Sequence, residues 1–361
     1  MDKSKGTMES MGLKNSFWKG KKVFITGHSG FKGSWASYVL HMLGANVKGY
    51  SLKPDSESNL FDSLNLSNLI YSDFQDIRDK ENLMRSIQEF NPDIIFHMAA
   101  QPLVRDSYND PIYTYEVNVI GTATLLEVSR SISNLGCIIN ITTDKCYQNK
   151  EWAWSYREDD ELGGHDPYSS SKACAELVSK SYYSSFIKDK GIGLATVRAG
   201  NVIGGGDWSK DRLIPDIINT FSQSNELLIR NPFATRPWQH VLEPIFGYFL
   251  LAEKLYENRE AYSEAWNFGP NEGDIRSVKW IVEEISKYWN NPRWDIDKSS
   301  NPHEAQNLKL DISKAKSLLK WQPKLDIKEA LYLTNSWYKA YLEKMDMIKI
   351  TEDQIISYIK K

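Results

Sequence analysis

Two short stretches hold residue types suited to moving protons. Thr142-Thr143-Asp144-Lys145 places two hydroxyls, an acid and a base in four consecutive residues, directly after the apolar run Cys137-Ile138-Ile139-Asn140-Ile141. Pro167-Tyr168-Ser169-Ser170-Ser171-Lys172 opens a helical pattern in which Tyr168 and Lys172 stand at i and i+4 and share a face. An ammonium beside a phenol favours the phenolate, lowers its pKa from about 10 and makes Tyr168 a usable base near neutrality. Such a pair also arises by chance on helices. It gains weight here from a third stretch, Lys21 to Gly33, where KKVFITGHSGFKG reads as strand, glycine turn and helix start. Gly27, Gly30 and Gly33 let backbone approach a pyrophosphate and let the helix pack on the strand. The flanking residues His28, Ser29, Phe31 and Lys32 line the same turn, and the helix N-terminus offers free N–H groups to phosphate.

These groups need elements to hold them. Apolar runs at Val23-Phe24-Ile25, Val47 to Tyr50, Ile70 to Phe74, Asp93 to His97 and Cys137 to Ile141 alternate with helical patterns ending near Gly44, near Phe90 and near residue 133. Strands separated by helices predict a parallel, doubly wound sheet whose ligands sit beyond the strands' carboxyl ends. His97-Met98-Ala99-Ala100 lies at such an end, and the two alanines leave room for a cofactor. At the end of the second strand, Ser51-Leu52-Lys53-Pro54-Asp55 carries no carboxylate in the usual ribose-binding place, so NAD and NADP both stay open there. Asp76 and Ile77 either flank an adenine or, for Asp76, cap the helix beginning near Asp79. Arg105 meets a phosphate or is an ordinary surface arginine. Asn118, inside an apolar helix, must find a polar partner.

With those residues on the page, the chain resembles the extended short-chain dehydrogenase/reductase family. The resemblance rests on TGxxGFxG (Thr26 to Gly33), HxAA (His97 to Ala100), Asn118, Thr143, and Tyr168 with Lys172. It implies a Rossmann-like α/β domain with a smaller α/β substrate-binding domain, and NAD as cofactor. NAD would be held by the glycine loop, Asp76, Ile77, Ala99, Ala100, Gln101, Asn118, Tyr168 and Lys172. Within the family, Gly27 to Trp35, Ala99 to Tyr108 and Arg236 to Pro244 are similar to members that dehydrate CDP-glucose, and Asp144-Lys145 replaces the Asp-Glu of hexose dehydratases using other nucleotides. The implied reaction yields CDP-4-keto-6-deoxyglucose. Tyr168 takes the 4-hydroxyl proton with help from Thr143, Lys145 takes the C5 proton or stabilises the enolate, and Asp144 protonates the leaving 6-hydroxyl. Asn201 and Arg212 resemble positions that touch the sugar nucleotide. Arg236, His240 and Arg293 are candidates for its diphosphate, each arginine having a salt bridge as its ordinary alternative. A 4-epimerase or reductase on the same fold explains Thr143, Tyr168 and Lys172 but leaves Asp144-Lys145 without a task. A non-catalytic binding protein leaves the whole set without one.

Composition narrows the setting. A net charge of -3 argues against a general nucleic-acid binder, and no apolar run approaches the ~20 residues of a membrane helix. Cys137, Cys146 and Cys174 are too few and scattered for a disulfide framework or zinc site, no metal is expected, and a reducing cytoplasm fits. The expected organisation is a flexible leader (1–16), a nucleotide domain (17–200, joined by about 236–266), a sugar-nucleotide domain (201–235 and 267–346) and a C-terminal tail (347–361). Trp266 to Pro270 is expected as a strand and turn of the smaller domain. The helices at 113–133 and 168–190 resemble those of a four-helix interface in a homodimer or homotetramer, where Leu125, Val128, Leu177 and Phe186 either serve it or pack the core.

Overall fold

A computed structural model describes residues 15–297 and 307–361. The leader expected over 1–16 lies, up to residue 14, outside the described residues; Asn15–Trp18 forms a helical turn.

Seven strands form the main sheet, all parallel. Its first six are β1 (Lys22–Thr26), β2 (Asn46–Ser51), β3 (Tyr71–Phe74), β4 (Ile94–His97), β5 (Cys137–Ile141) and β6 (Gly193–Ala199). The spatial order is Ala265–Phe268, β6, β5, β4, β1, β2, β3. Trp266 therefore belongs to the large sheet, correcting its expected place in the smaller domain. Trp266, Asn267 and Phe268 of the short run Ala265–Phe268 are buried, and the run pairs in parallel with the seven-residue β6 at the edge of the sheet.

Alternation along each strand splits the core into two layers. Val23 and Ile25 join one buried cluster while Phe24 joins the other; Ile94 and Phe96 are likewise separated from Ile95, and Ile139 from Ile138. Helices cover both faces, so these strands read as unbroken apolar runs. Phe31–Met42 and Leu242–Glu257 lie on one side, Lys80–Phe90 and Gly121–Ser129 on the other. The winding reverses between β1 and β4, where Thr26 pairs in register with His97 and its hydroxyl meets His97 Nδ1 at 2.7 Å. His97 Nε2 meets Thr122 at 3.0 Å. Burial drives the ring's pKa down to about 3, so His97 is a neutral strut of the crevice.

The second half adds two-stranded pairs rather than another large sheet: Val202–Ile203 with Gln239–His240, Thr235–Arg236 with Arg276–Ser277, and Glu226–Ile229 with Arg293–Ile296. The segment expected as a tail is a helix, Met347–Lys360, capped by Asp346, whose carboxylate accepts from the Ile348 and Lys349 amides. Met347, Thr351, Ile355, Tyr358 and Ile359 form its buried stripe. Tyr358 donates to Glu243 Oε2 (2.7 Å), and Tyr38, on the helix after the glycine turn, donates to Glu352 Oε1 (2.7 Å).

Candidate active site

β5 ends at Ile141, and the chain then tightens into a turn over Asp144–Cys146. Thr143 caps that turn by accepting from the Lys145 amide at 3.4 Å. On a continuing strand Asp144 and Lys145 would face opposite ways; the turn removes that obstacle. Asp144 is 2% exposed and takes a hydrogen bond from the Thr143 hydroxyl at 3.1 Å on Oδ1, while Oδ2 is buried with no partner among the described residues. Desolvation raises the Asp144 pKa against the pull of Lys145, Thr143 and Arg236. A carboxyl so placed is suited to holding a proton for donation.

Tyr168 and Lys172 stand on the helix Pro167–Tyr182, which Pro167 and the Asp166 cap start beside this turn. Their electrostatics differ from the expectation. Lys172 Nζ donates to the Ile141 carbonyl at 3.1 Å, and burial lowers its pKa to about 8. Desolvation pushes the Tyr168 phenol up to about 12, opposed first by the Thr143 hydroxyl beside it and then by Arg212. The enclosed setting thus outweighs the nearby Arg212 cation at the phenol, and Lys172 donates to a backbone carbonyl.

Behind these residues lies an ion pair that sequence reading missed. Glu176, one turn beyond Lys172, accepts from Thr142 Oγ1 (2.5 Å), Thr196 Oγ1 (2.6 Å), and Arg198 Nε and Nη2 (both 2.9 Å). The two charged side chains are 4% and 3% exposed. The i+4 spacing from Lys172 was the available signal.

The residues expected to hold a cofactor gather at the reversal point. A Cβ on Gly27, at φ +75°, would lie 2.7 Å from the Ala99 nitrogen, and one on Gly33 would lie 2.0 Å from the Gly27 oxygen. Gly30 caps the helix Phe31–Met42 without a side-chain bond, leaving its first amides open to an anion. These features fit a pyrophosphate against bare backbone. Ser29 and Ser51 share a 2.8 Å hydrogen bond, and His28 meets Ser51 through Nδ1 at 3.0 Å, so hydroxyls and a buried imidazole occupy the end of β2. Asp76 is held by Arg78 through Nε and Nη2, and Asp79 rather than Asp76 caps the following helix. Ile77 is buried under Gly121. Asn118 lies in a π-helical turn, Glu116–Ile120, and exchanges hydrogen bonds with the backbone of Gln101 (2.8 and 3.1 Å) while donating to Ser171 (2.8 Å). It thus ties the loop carrying Ala99, Ala100 and Gln101 to the helix of Tyr168. Lys32 extends from the glycine turn toward Asp144, Lys172 and Arg212; burial and the two cations lower its pKa to about 7.

The substrate candidates divide. Arg212 pairs with Asp207 at 2.8 Å and faces Tyr168; Arg236 is 8% exposed and faces Asp144. Arg105 pairs with Asp211 at 3.3 Å, and Asn201 lies half-buried at the turn after β6, its carbonyl accepting from Gln239. His240 is fully buried edge-on to Trp35, and burial lowers its pKa to about 3. Arg293 is exposed on the strand beside Glu226–Ile229 and donates to the Ser224 carbonyl at 3.1 Å. Among the described residues no cluster of His, Cys, Asp or Glu has the makings of a metal site, and no helix is long and apolar enough to cross a membrane.

Comparison with known proteins follows the same lines. The family described as GDP-mannose 4,6 dehydratase matches residues 24–334. CDP-glucose 4,6-dehydratase of Salmonella typhimurium is 49% identical over 353 residues, covering 96% of this chain and 98% of that protein. Among solved structures, UDP-glucose-4-epimerase of Stenotrophomonas maltophila, crystallised with NAD, superposes with a TM-score of 0.79 at 19% identity over 90% of this chain and 99% of the other. dTDP-glucose 4,6-dehydratase of Bacillus anthracis, in complex with NAD, gives 0.73 at 22% identity over 91% and 99%.

Proposed function

Because the chain belongs to the GDP-mannose 4,6 dehydratase family, within the extended short-chain dehydrogenases/reductases, we propose that it dehydrates CDP-glucose to CDP-4-keto-6-deoxyglucose with NAD as cofactor. The observation that carries this reading is the near-full-length likeness to a CDP-glucose 4,6-dehydratase, in a chain whose β5 end turns to put Asp144 and Lys145 beside Thr143. An epimerase has no use for that acid and base.

The glycine loop, with Ala99 and Ala100, holds the pyrophosphate side of NAD; Lys172 and Tyr168 face its nicotinamide end. When bound, NAD supplies a hydride acceptor for C4 and a donor for C6, so it ends each cycle as it began. Thr143 and Tyr168 receive the 4-hydroxyl. Once C4 is a ketone the C5 proton is acidic, and Lys145 takes it or stabilises the enolate. Asp144 protonates the departing 6-hydroxyl, a role its raised pKa favours. Arg212 and Arg236 hold the sugar nucleotide. His240 packs edge-on against Trp35 in the wall.

The nucleotide unit comprises 17–200 with about 236–266, to which Ala265–Phe268 adds an edge strand. The remainder of the second half forms the sugar-nucleotide unit. The enzyme works in the cytoplasm as a homodimer or homotetramer. Leu125 and Val128 are core residues, 0% and 2% exposed, whereas Leu177 (56%), Phe186 (40%), Ile112 (68%) and Ile120 (57%) leave an apolar face open.

The test is direct. Protein, NAD and CDP-glucose are incubated, and the sugar nucleotide is followed by mass spectrometry. Loss of one water with no net NAD consumed is expected. A mass-neutral epimer, or NADH released in step with product, refutes the dehydratase reading.

A further inference from the structure

The diphosphate of the proposed substrate joins two unlike ends, a glucose and a pyrimidine. The glucose end belongs at Thr143 and Tyr168. Arg212, which faces Tyr168, marks where that end meets the second half of the chain. From Arg212 the helix Leu213–Ser222 runs on, packed against the strand Glu226–Ile229. A nucleotide sugar with its glucose at Tyr168 and its diphosphate at Arg212 carries its base beyond Arg212, on this side.

Charges that the reaction steps leave unused gather there. Asp211, in the left-handed region at φ +59°, accepts from Arg230 Nη1 on Oδ1 at 3.3 Å. Arg105, from the nucleotide unit, pairs with the same oxygen at 3.3 Å. Asp216 stands one helical turn beyond Arg212, its amide donating to the Arg212 carbonyl at 3.0 Å. Its half-buried carboxyl faces Arg230 and Arg105, yet no hydrogen bond or ion pair reaches it among the described residues. Burial pushes its pKa up to about 6, against the pull of Arg230, so it is ionised at about pH 8. A partly enclosed carboxylate without a donor is an unfilled place in the structure's hydrogen bonding. Arg230 spends one of its guanidinium donors on Asp211 and keeps others for a ligand.

A guanidinium beside a carboxylate that lacks a donor complements the Watson–Crick edge of cytosine. That edge offers two acceptors, O2 and N3, and one donor, the N4 amino group. Uracil turns N3 into a donor and puts an acceptor, O4, where cytosine has its amino group. A carboxylate accepts from N4 and repels O4. Resting on the reading of the substrate as CDP-glucose, we propose that Arg230 and Asp216 read the base. Arg230 donates to O2 and N3 of cytosine, Asp216 accepts from the N4 amino group, and Asp211 holds Arg230 in place. With uracil, O4 meets the carboxylate and N3–H meets a donor, so discrimination comes from repulsion as well as from attraction.

Binding of CDP and of UDP to the NAD-loaded protein is measured by calorimetry at about pH 8, so that no chemistry enters the readout. CDP should bind roughly 10–150-fold more tightly, the worth of one hydrogen bond to a charged group. Asp216→Asn, whose amide can turn to donate to O4, should weaken CDP, strengthen UDP and bring the ratio to about 1 or below. Arg230→Met should weaken CDP more than UDP, which offers Arg230 only O2. Asp211→Ala should narrow the ratio, while Asp211→Asn, which keeps an oxygen for Arg230, should hold it. A wild-type ratio near 1 overturns the proposal. So does an equal loss of both nucleotides in Asp216→Asn and Arg230→Met, the result expected of an ordinary surface charge cluster. Release of water from CDP-glucose is followed separately. Protein that shows the CDP preference and its loss in Asp216→Asn, but releases no water, keeps the base reading and refutes the dehydratase reading.

Discussion

Replacing Glu176 by Gln tests how the buried pair supports the site. Glu176 and Arg198 are almost wholly enclosed, at 4% and 3% exposure, and the carboxylate takes four hydrogen bonds. Removing its charge strands the guanidinium, and breaking a buried pair this way costs roughly 3–5 kcal/mol. With an unfolding entropy of about 2.1 cal/mol/K per residue over 361 residues, that cost lowers Tm by about 4–7 °C. Glu176→Gln/Arg198→Met, which removes both charges, should recover most of the loss. Function should change separately. Glu176 is the main group upholding the Lys172 ammonium against desolvation, and its bond to Thr142 anchors the residue before Thr143. Both variants should therefore lose activity at lower pH than wild type on the alkaline limb. Calorimetry reports the first effect and a pH profile of kcat the second. A single variant as stable as wild type, or a double variant less stable than the single one, refutes the argument.

Tyr168→Phe keeps the ring and removes the transferable proton, so turnover should fall roughly 10²–10⁴-fold while CDP-glucose binding by calorimetry stays near normal. Glu243 is pushed up to about 7 by burial, from 4.5 in an unfolded chain. The folded state thus holds a proton that the unfolded state has lost. The associated stability, about 3 kcal/mol, is present below pH ~4.5 and lost as pH rises through ~7; Glu243→Gln should flatten that fall in urea titrations at several pH values. Sedimentation should show a dimer or larger species at micromolar concentration, and Leu177→Glu/Phe186→Glu should shift it toward monomer without lowering Tm, an outcome excluded if both side chains pack the core.

Residues that act through local geometry were legible in advance. Gly27 and Gly33 are required wherever backbone meets backbone, and Tyr168 and Lys172 share a face by helical spacing alone. Asp144 and Lys145 needed one thing that spacing does not supply, the turn after Ile141. The desolvation that raises the phenol's pKa was not legible, because the Tyr168–Lys172 spacing shows in the sequence while the surrounding burial and the Ile141 carbonyl do not. His240 and Arg293 are candidates by residue type alone, and the sequence does not show that the first is buried beside Trp35 while the second is exposed on the strand paired with Glu226–Ile229. Leu125 and Leu177 illustrate the same limit: both are apolar helix residues, and only the neighbouring layer decides that one is core and the other surface. The last helix reads as a tail in the sequence because its stripe from Met347 to Ile359 becomes a buried face only against the layer that carries Glu243.

That helix has a consequence for biosynthesis. Tyr38, on the segment that follows the glycine turn, reaches Glu352, while Trp337, which stacks on Tyr341 and donates to Thr351, covers Gly205 so closely that a Cβ there would lie 2.0 Å from its ring. Residues translated early are thus roofed by residues translated late. A nascent chain can pair β1 with β2 soon after both emerge, but the outer surface of the helix Phe31–Met42 stays uncovered until 347–360 have left the ribosome. Chaperone contact during synthesis should concentrate on that helix, and a nonsense mutation removing only the final turns should leave a product that still forms its sheet but is cleared by quality control.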